Sequence, residues 1–138
     1  MIAGATVEAV LEHYTALTGR MQLPPLWALG FHQSRWGYDS EQVFRELAQK
    51  FRDRNLPCDA LYFDIDYMDG YRCFTWDSER FPDVSGLMQN LTAQGFKTVA
   101  IIDPGIKHQP EGGYTVYSEG VEAGHFVTLP GGELFVGS

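Results

Sequence analysis

Ala60-Leu61-Tyr62-Phe63-Asp64-Ile65-Asp66-Tyr67-Met68-Asp69-Gly70-Tyr71 passes directly from an apolar run into carboxylates and a turn. A run that is apolar on both faces, such as Ala60 to Phe63, is what a strand covered by helices requires. Acids at its C-terminal end gain nothing from an apolar core, so they must be paired or meet a polar ligand. Ile101-Ile102-Asp103-Pro104-Gly105 has the same form. Leu29-Gly30-Phe31-His32-Gln33-Ser34-Arg35-Trp36-Gly37-Tyr38 also runs from apolar residues into polar and aromatic ones. Together the three tracts predict buried parallel strands that deliver functional groups to one edge of a sheet.

The segments between these tracts carry helical periodicity. Val7, Val10, Leu11, Tyr14 and Leu17 recur at helical spacing after Thr6, a cap residue, and Gly19 ends the pattern. Pro24 and Pro25 break the chain before Leu26 to Phe31, which reads as the first strand. Asp39, with Gln42 three residues on, resembles a capping box for a second helix. That helix carries a buried stripe of Val43, Phe44, Leu47, Ala48 and Phe51, and Asn55-Leu56-Pro57 ends it. Val84, Leu87, Met88 and Leu91 mark a third helix closed by Gly95, and Lys97 to Ile102 reads as a third buried strand. Beyond it, Tyr114 to Glu122 suits a short helix and Phe126 to Val136 a hairpin around Gly131-Gly132. The order is α/β, a βαβαβ unit whose crossovers should be right-handed. It fits a doubly wound sheet or part of a (β/α)₈ barrel. Three strands cannot close a barrel of eight strands and about 250 residues, so the sheet is either small and open or a fragment of a larger one.

Composition narrows the function. The 138 residues, 44% hydrophobic and 14% aromatic, are enough for one domain with a real core. A formal net charge of −8 argues against a nucleic-acid partner, which needs clustered Lys and Arg. No apolar run approaches the roughly 18 to 20 residues of a membrane span, so no membrane partner is expected. Met1-Ile2-Ala3-Gly4-Ala5 has neither the basic nor the long apolar region of a signal peptide, and the expected location is cytoplasmic. Asn90-Leu91-Thr92 matches a glycosylation acceptor but falls inside a helical pattern. Cys58 and Cys73 lack metal or redox spacing and read as free thiols.

Asp64 and Asp66 should lie on the same side of an extended strand, with Ile65 opposite. Such a pair suits a divalent cation, sugar hydroxyls, or a structural ion pair with Arg35 or Arg72, and spacing alone leaves all three open. Asp103 is equally ambiguous beside the tight turn of Pro104-Gly105. Trp36, Tyr38, Tyr67, Tyr71 and Trp76 crowd the strand ends, where aromatics stack on sugar rings or simply bury apolar area. His13, His32, His108 and His125 show no zinc spacing. Ser34 has no nucleophile elbow around it. No phosphate-binding glycine fingerprint follows the first strand, since Gly37 stands alone. Nothing in the chain calls for a cofactor or a metal.

The stretch Leu23 to Tyr38 resembles the start of the catalytic barrel in glycoside hydrolase family thirty-one. So do Leu56-Pro57-Cys58-Asp59, Asp64 to Tyr71, Phe74-Thr75-Trp76-Asp77, Arg80-Phe81-Pro82-Asp83 and Ile102-Asp103-Pro104-Gly105-Ile106, in matching order and spacing. The resemblance implies a retaining α-glucosidase that releases terminal α-linked glucose from an oligosaccharide. It also implies a (β/α)₈ barrel, incomplete here, whose remaining strands lie C-terminal to this segment. Residues 1–22 would then be a helix leading into the barrel, 23–106 the first three β/α units, and 107–138 the start of an insert. Matched residue by residue, Asp64 is the carboxylate that hydrogen-bonds hydroxyls of the terminal glucose. Ile65, Ile101 and Trp36 line that pocket or its mouth, and Asp103 lies at its floor.

Two residues depart from the family pattern. Cys73 stands where many relatives have an acid, and Ser34 where some have cysteine. A larger departure concerns catalysis. Retaining glycosidases need a nucleophile and an acid/base about 5 to 5.5 Å apart. In this family the nucleophile lies in a Trp-x-Asp-Met-Asn-Glu-like tract that is missing here, so no catalytic residue is assigned to this segment. Two other readings stand beside the hydrolase: a stand-alone carbohydrate-binding βαβ module, and a cation-dependent sugar transferase using Asp64 and Asp66.

Overall fold

The structure, a computed structural model, describes residues 2–137. Helix α1 (Val7–Thr18) begins where the Thr6 hydroxyl accepts a hydrogen bond from the Ala9 amide, and it ends at Gly19, whose φ is 91°. Strand β1 (His32–Gln33), helix α2 (Glu41–Asp53), strand β2 (Ala60–Phe63), helix α3 (Val84–Ala93), strand β3 (Lys97–Ala100) and helix α4 (Thr115–Glu122) follow. The three strands form one parallel sheet in the order β1-β2-β3. Two pairs, His32 with Ala60 and Gln33 with Leu61, set the β1–β2 register. Four pairs, from Ala60 with Lys97 to Phe63 with Ala100, set that of β2–β3. The βαβαβ segment is therefore present and the barrel is not closed in this chain.

The core lies between one face of the sheet and helices α2 and α3. Phe44 and Ala48 from α2, Leu61 and Phe63 from β2, and Leu87 and Leu91 from α3 are all buried in one cluster. Phe63 is its hub. Its ring stacks on Phe44 at 3.9 Å between centroids and meets Trp76 and Phe81 edge-on at 5.4 and 6.0 Å. Since strand side chains alternate, Leu61 and Phe63 on the helix side leave Tyr62 on the opposite face. There Tyr62 reaches across to β1, its hydroxyl 3.0 Å from His32 Nδ1. The other ring nitrogen of His32 lies 3.0 Å from the Trp27 carbonyl oxygen. A carbonyl only accepts, so Nε2 carries the proton and Nδ1 accepts from Tyr62.

Several local expectations are corrected. Leu26 to Phe31 is not a strand: Leu26–Leu29 forms a 3₁₀ turn, closed by the Ala28 amide on the Pro25 carbonyl at 2.9 Å. Pro25, with φ of −64°, leads the chain into that turn, and Leu26 and Leu29 stay exposed. The α2 cap is Ser40 rather than Asp39, and no side chain fills the role. The Glu41 amide donates instead to the Arg80 carbonyl at 2.9 Å. The Glu41 carboxylate binds Arg45 at 2.6 Å and accepts from the Asp83 amide at 3.1 Å, tying α2 to the start of α3. The third strand stops at Ala100, and it is not buried: Lys97 and Ala100 are exposed and Thr98 and Val99 only half-buried. Among the described residues no strand pairs with the far edge of β3, so nothing covers it. The hairpin at the end of the chain is reduced to one antiparallel bridge, Thr128 with Leu134.

Helix α3 begins on Asp83, whose Oδ1 accepts from the Gly86 amide at 2.9 Å. A Cβ at position 86 would fall 2.1 Å from Asp83 Oδ2, so glycine there makes room for the cap. Asp83→Ala should remove about 1 kcal/mol from the first turn. Amide exchange over Ser85–Leu87 should then rise about fivefold, the factor that energy corresponds to. Unchanged exchange rates would show that the cap contributes nothing.

The chain exposes 9914 Å², whereas a compact monomer of 15.5 kDa exposes about 7,200 Å². The excess includes Val7, Leu11, Tyr14 and Leu17 along α1, which touch no core, and Ile101 and Ile102 beyond β3. No helix among the described residues is long and apolar enough to cross a membrane.

Candidate functional site

The C-terminal ends of β1, β2 and β3 open onto one edge, and the polar groups expected there are found along it. Asp64 follows β2 directly. Its backbone is still extended, with φ of −83° and ψ of 176°, so it falls on the same face as Tyr62. Its Oδ1 accepts the Ile65 amide at 2.7 Å, which caps a 3₁₀ turn over Ile65–Tyr67. That turn overturns one expectation. Because the chain leaves the extended conformation after Asp64, Asp66 does not share its face, and the two acids cannot act as a strand-mounted pair. Neither acid pairs with arginine among the described residues. Arg72 binds Asp69 instead, at 2.5 Å, and Asp66 meets only the Tyr71 hydroxyl at 3.4 Å.

The β2–β3 ladder continues one step past the strands, with the Ile101 amide donating to the Phe63 carbonyl at 3.0 Å. In parallel register, Ile101 is therefore the neighbour of Asp64. Its side chain is 39% exposed, open to that edge. Asp103, two residues on, is exposed. Trp36 lies three residues beyond β1 in a turn at Gly37, whose φ is 96°, and its ring is 71% exposed. Ile65 differs from the other four, because it packs half-buried against the core cluster. The structure thus gathers Asp64, Ile101, Asp103 and Trp36 along one sheet edge and turns Ile65 toward the interior.

Beneath that edge are groups whose role the sequence pattern left open. The Tyr67 hydroxyl donates to the Ile101 carbonyl at 2.7 Å. Burial pushes this phenol above its ordinary value of 10, and the Cys73 thiol and the Asp103 charge raise it further. Both cysteines are free and buried, as expected from their spacing. A cavity of about 520 Å³ lies beside the edge rather than on it. It is bounded by Tyr71, Ile106, His108 and Tyr117 on one side and by Phe126 and Phe135 of the hairpin on the other. None of the strand-end residues lines it. Tyr117 and Phe126 stack there at 5.7 Å, and Phe126 rests against Gly120, where a Cβ would come within 2.6 Å of the ring. Long-range packing of this kind leaves no periodic signature, so the cavity was not visible in the residue spacing. Among the described residues no cluster of three His, Cys, Asp or Glu side chains is arranged to hold a metal ion.

A family model described as the glycosyl hydrolases family 31 TIM-barrel domain matches residues 21–138. The chain belongs to glycosyl hydrolase family 31. Among similar proteins is alpha-glucosidase 2 of Bacillus thermoamyloliquefaciens, 48% identical over 137 residues, which cover 99% of this chain and 17% of that protein. Neutral alpha-glucosidase AB of Homo sapiens is 42% identical over 137 residues, again 99% of this chain and 14% of the relative. The fold also superposes on a crystal structure of the glucosidase II alpha subunit solved with Glc1Man2 bound. The TM-score is 0.88 at 36% identity, covering 96% of this chain and 14% of that one. The chain thus spans about a sixth or less of the length of these family 31 relatives. The three-stranded sheet and its helices match an α/β segment of the family's barrel.

Proposed function

We propose that this chain is the opening portion of the catalytic barrel of a retaining α-glucosidase that acts on oligosaccharides with terminal α-linked glucose. The observation that carries the reading is that Asp64 and Ile101 are neighbours at the C-terminal edge of a parallel sheet, with Trp36 and Asp103 in the segments that leave β1 and β3 at that edge. That edge is where barrel enzymes build their sites. Names of the relatives support the substrate class, since several are α-glucosidases and one was solved with a glucose-bearing trisaccharide.

In this reading Asp64 holds the sugar. Oδ1 is occupied by the Ile65 amide, which fixes the carboxylate and leaves Oδ2 and the remaining lone pairs to accept glucose hydroxyls. Charge-assisted hydrogen bonds of this kind are the strong ones. Ile101 and Trp36 supply apolar surface for the ring, and Asp103 closes the floor. Nucleophile and acid/base are supplied by strands that follow. The structure offers no support for Asp64 and Asp66 as a joint cation site, because Asp66 lies inside the 3₁₀ turn and no third ligand joins the two among the described residues.

The test is the stereochemistry of the first product. With the enzyme containing the whole barrel, proton NMR of maltose hydrolysis should show α-glucose forming first and the β anomer growing in only by mutarotation. Initial release of β-glucose, or no hydrolysis of any α-glucoside, would overturn the proposal.

A further inference from the structure

Between Ile101 and Gly105, three backbone carbonyls at alternate positions are met by side chains from the preceding loop. The Tyr67 hydroxyl donates to the Ile101 carbonyl at 2.7 Å. The Cys73 thiol lies 3.7 Å from the Asp103 carbonyl oxygen and 3.6 Å from that of Gly105, within reach of its single S–H for either. Both donors are buried, with Tyr67 4% and Cys73 2% exposed. Cys73 is itself fixed, because its carbonyl accepts the buried Tyr114 hydroxyl at 2.8 Å. The backbone around it is strained. Tyr71 and Phe74 have φ of 60° and 67°, a left-handed conformation that costs side chains other than glycine. Neither side chain repays that cost by burial, since both are exposed. Several contacts hold the loop in this shape: those of Cys73, Lys107 Nζ on the Gly70 carbonyl at 2.8 Å, Arg72 on Asp69 and Gln109, and the Thr75 hydroxyl, which accepts from the Asp69 amide and donates to the Arg72 carbonyl.

We propose that Tyr67 and Cys73 are positioning residues: a buried latch that holds Ile101 and Asp103 in the geometry the sugar pocket uses. The proposal rests on the sugar-pocket reading given above. Neither residue touches substrate; each acts through the carbonyls of the segment that does. A thiol suits this place because its long C–S bond carries the S–H donor within reach of either carbonyl.

The test is a pair of double-mutant cycles in the enzyme containing the whole barrel, with an aryl α-glucoside as substrate. Cys73→Ala and Tyr67→Phe should each lower kcat/KM about two- to tenfold, the effect of one ordinary hydrogen bond. The loss should fall mainly on KM, and Cys73→Ser, which keeps a donor, should restore part of it. In an Asp103→Asn background, Cys73→Ala should add no further loss, because its effect passes through Asp103. Tyr67→Phe keeps its ring in the core and acts through Ile101, so it carries the second cycle, in an Ile101→Ala background. There it should likewise add no further loss, and it stands alone if the Cys73 alanine variant does not fold. Losses that multiply in the double variant, or a lower melting temperature with normal kinetics, would overturn the latch. Normal kinetics for Asp103→Asn alone would overturn the sugar-pocket reading along with it, so the two failures are distinguishable.

Discussion

Purified alone, the 138-residue chain will turn over an aryl α-glucoside no faster than buffer. Retention of configuration takes two carboxylates about 5 to 5.5 Å apart, one attacking the anomeric carbon and one handling the proton. General acid/base assistance alone is worth about a hundred- to ten-thousandfold, and loss of the covalent step removes the low-energy path altogether. In the reading given above Asp64 directs its free oxygen to glucose hydroxyls, not to the anomeric carbon, and no second carboxylate is paired with it among the described residues. Asp66, the nearest acid in sequence, faces elsewhere. The assay is made on the soluble fraction with helical circular dichroism, so that a collapsed chain is not scored. Activity that persists through repurification and disappears in Asp64→Ala would place the chemistry on this segment after all.

Asp64→Asn, in the enzyme containing the whole barrel, should cost about ten- to a hundredfold in kcat/KM with little change in melting temperature. The amide keeps an oxygen for the Ile65 N–H, so the turn after β2 keeps its cap. What it loses is charge toward glucose hydroxyls, and each such contact is worth roughly 1.5 to 3 kcal/mol. A structural role would give the opposite pattern, with a depressed melting point and nearly normal kinetics in the surviving protein. Both quantities measured on one preparation decide between them.

How legible these features were in the sequence depended on how local their causes are. The stripe of Val43, Phe44, Leu47, Ala48 and Phe51, the run Ala60 to Phe63 and the pattern from Val84 to Leu91 all became the expected elements. In each, periodicity and burial agree. Leu26 to Phe31 misled because Leu26, Leu29 and Phe31 are exposed in and beside a proline-led turn. Lys97 to Ile102 misled in burial because covering an edge strand requires a neighbour that its own residues do not encode. The geometry of Asp66 depended on where β2 ends, and no residue type marks that point. For the proposed site, Asp64, Ile101, Asp103 and Trp36 come from family resemblance, and the structure adds their place at or just beyond the strand ends. The thiol of Cys73 was visible only as a departure from that resemblance, since its acceptors lie about thirty residues further along the chain.

The His32 imidazole has a further consequence, for the alignment of the whole edge. β1 is held to β2 by two paired residues, half as many as hold β3. A ladder that short resists sliding poorly. A slip of two residues would preserve every inward and outward side chain while carrying Trp36 about 6.6 Å along the sheet, clear of Asp64. The His32 ring is fixed on its own segment by the Trp27 carbonyl, and through its other nitrogen on Tyr62 it ties that segment to one place along β2. It acts as a key in a lock: the ring makes no contact with the pocket's acids, yet it fixes where along β2 the first strand comes to rest.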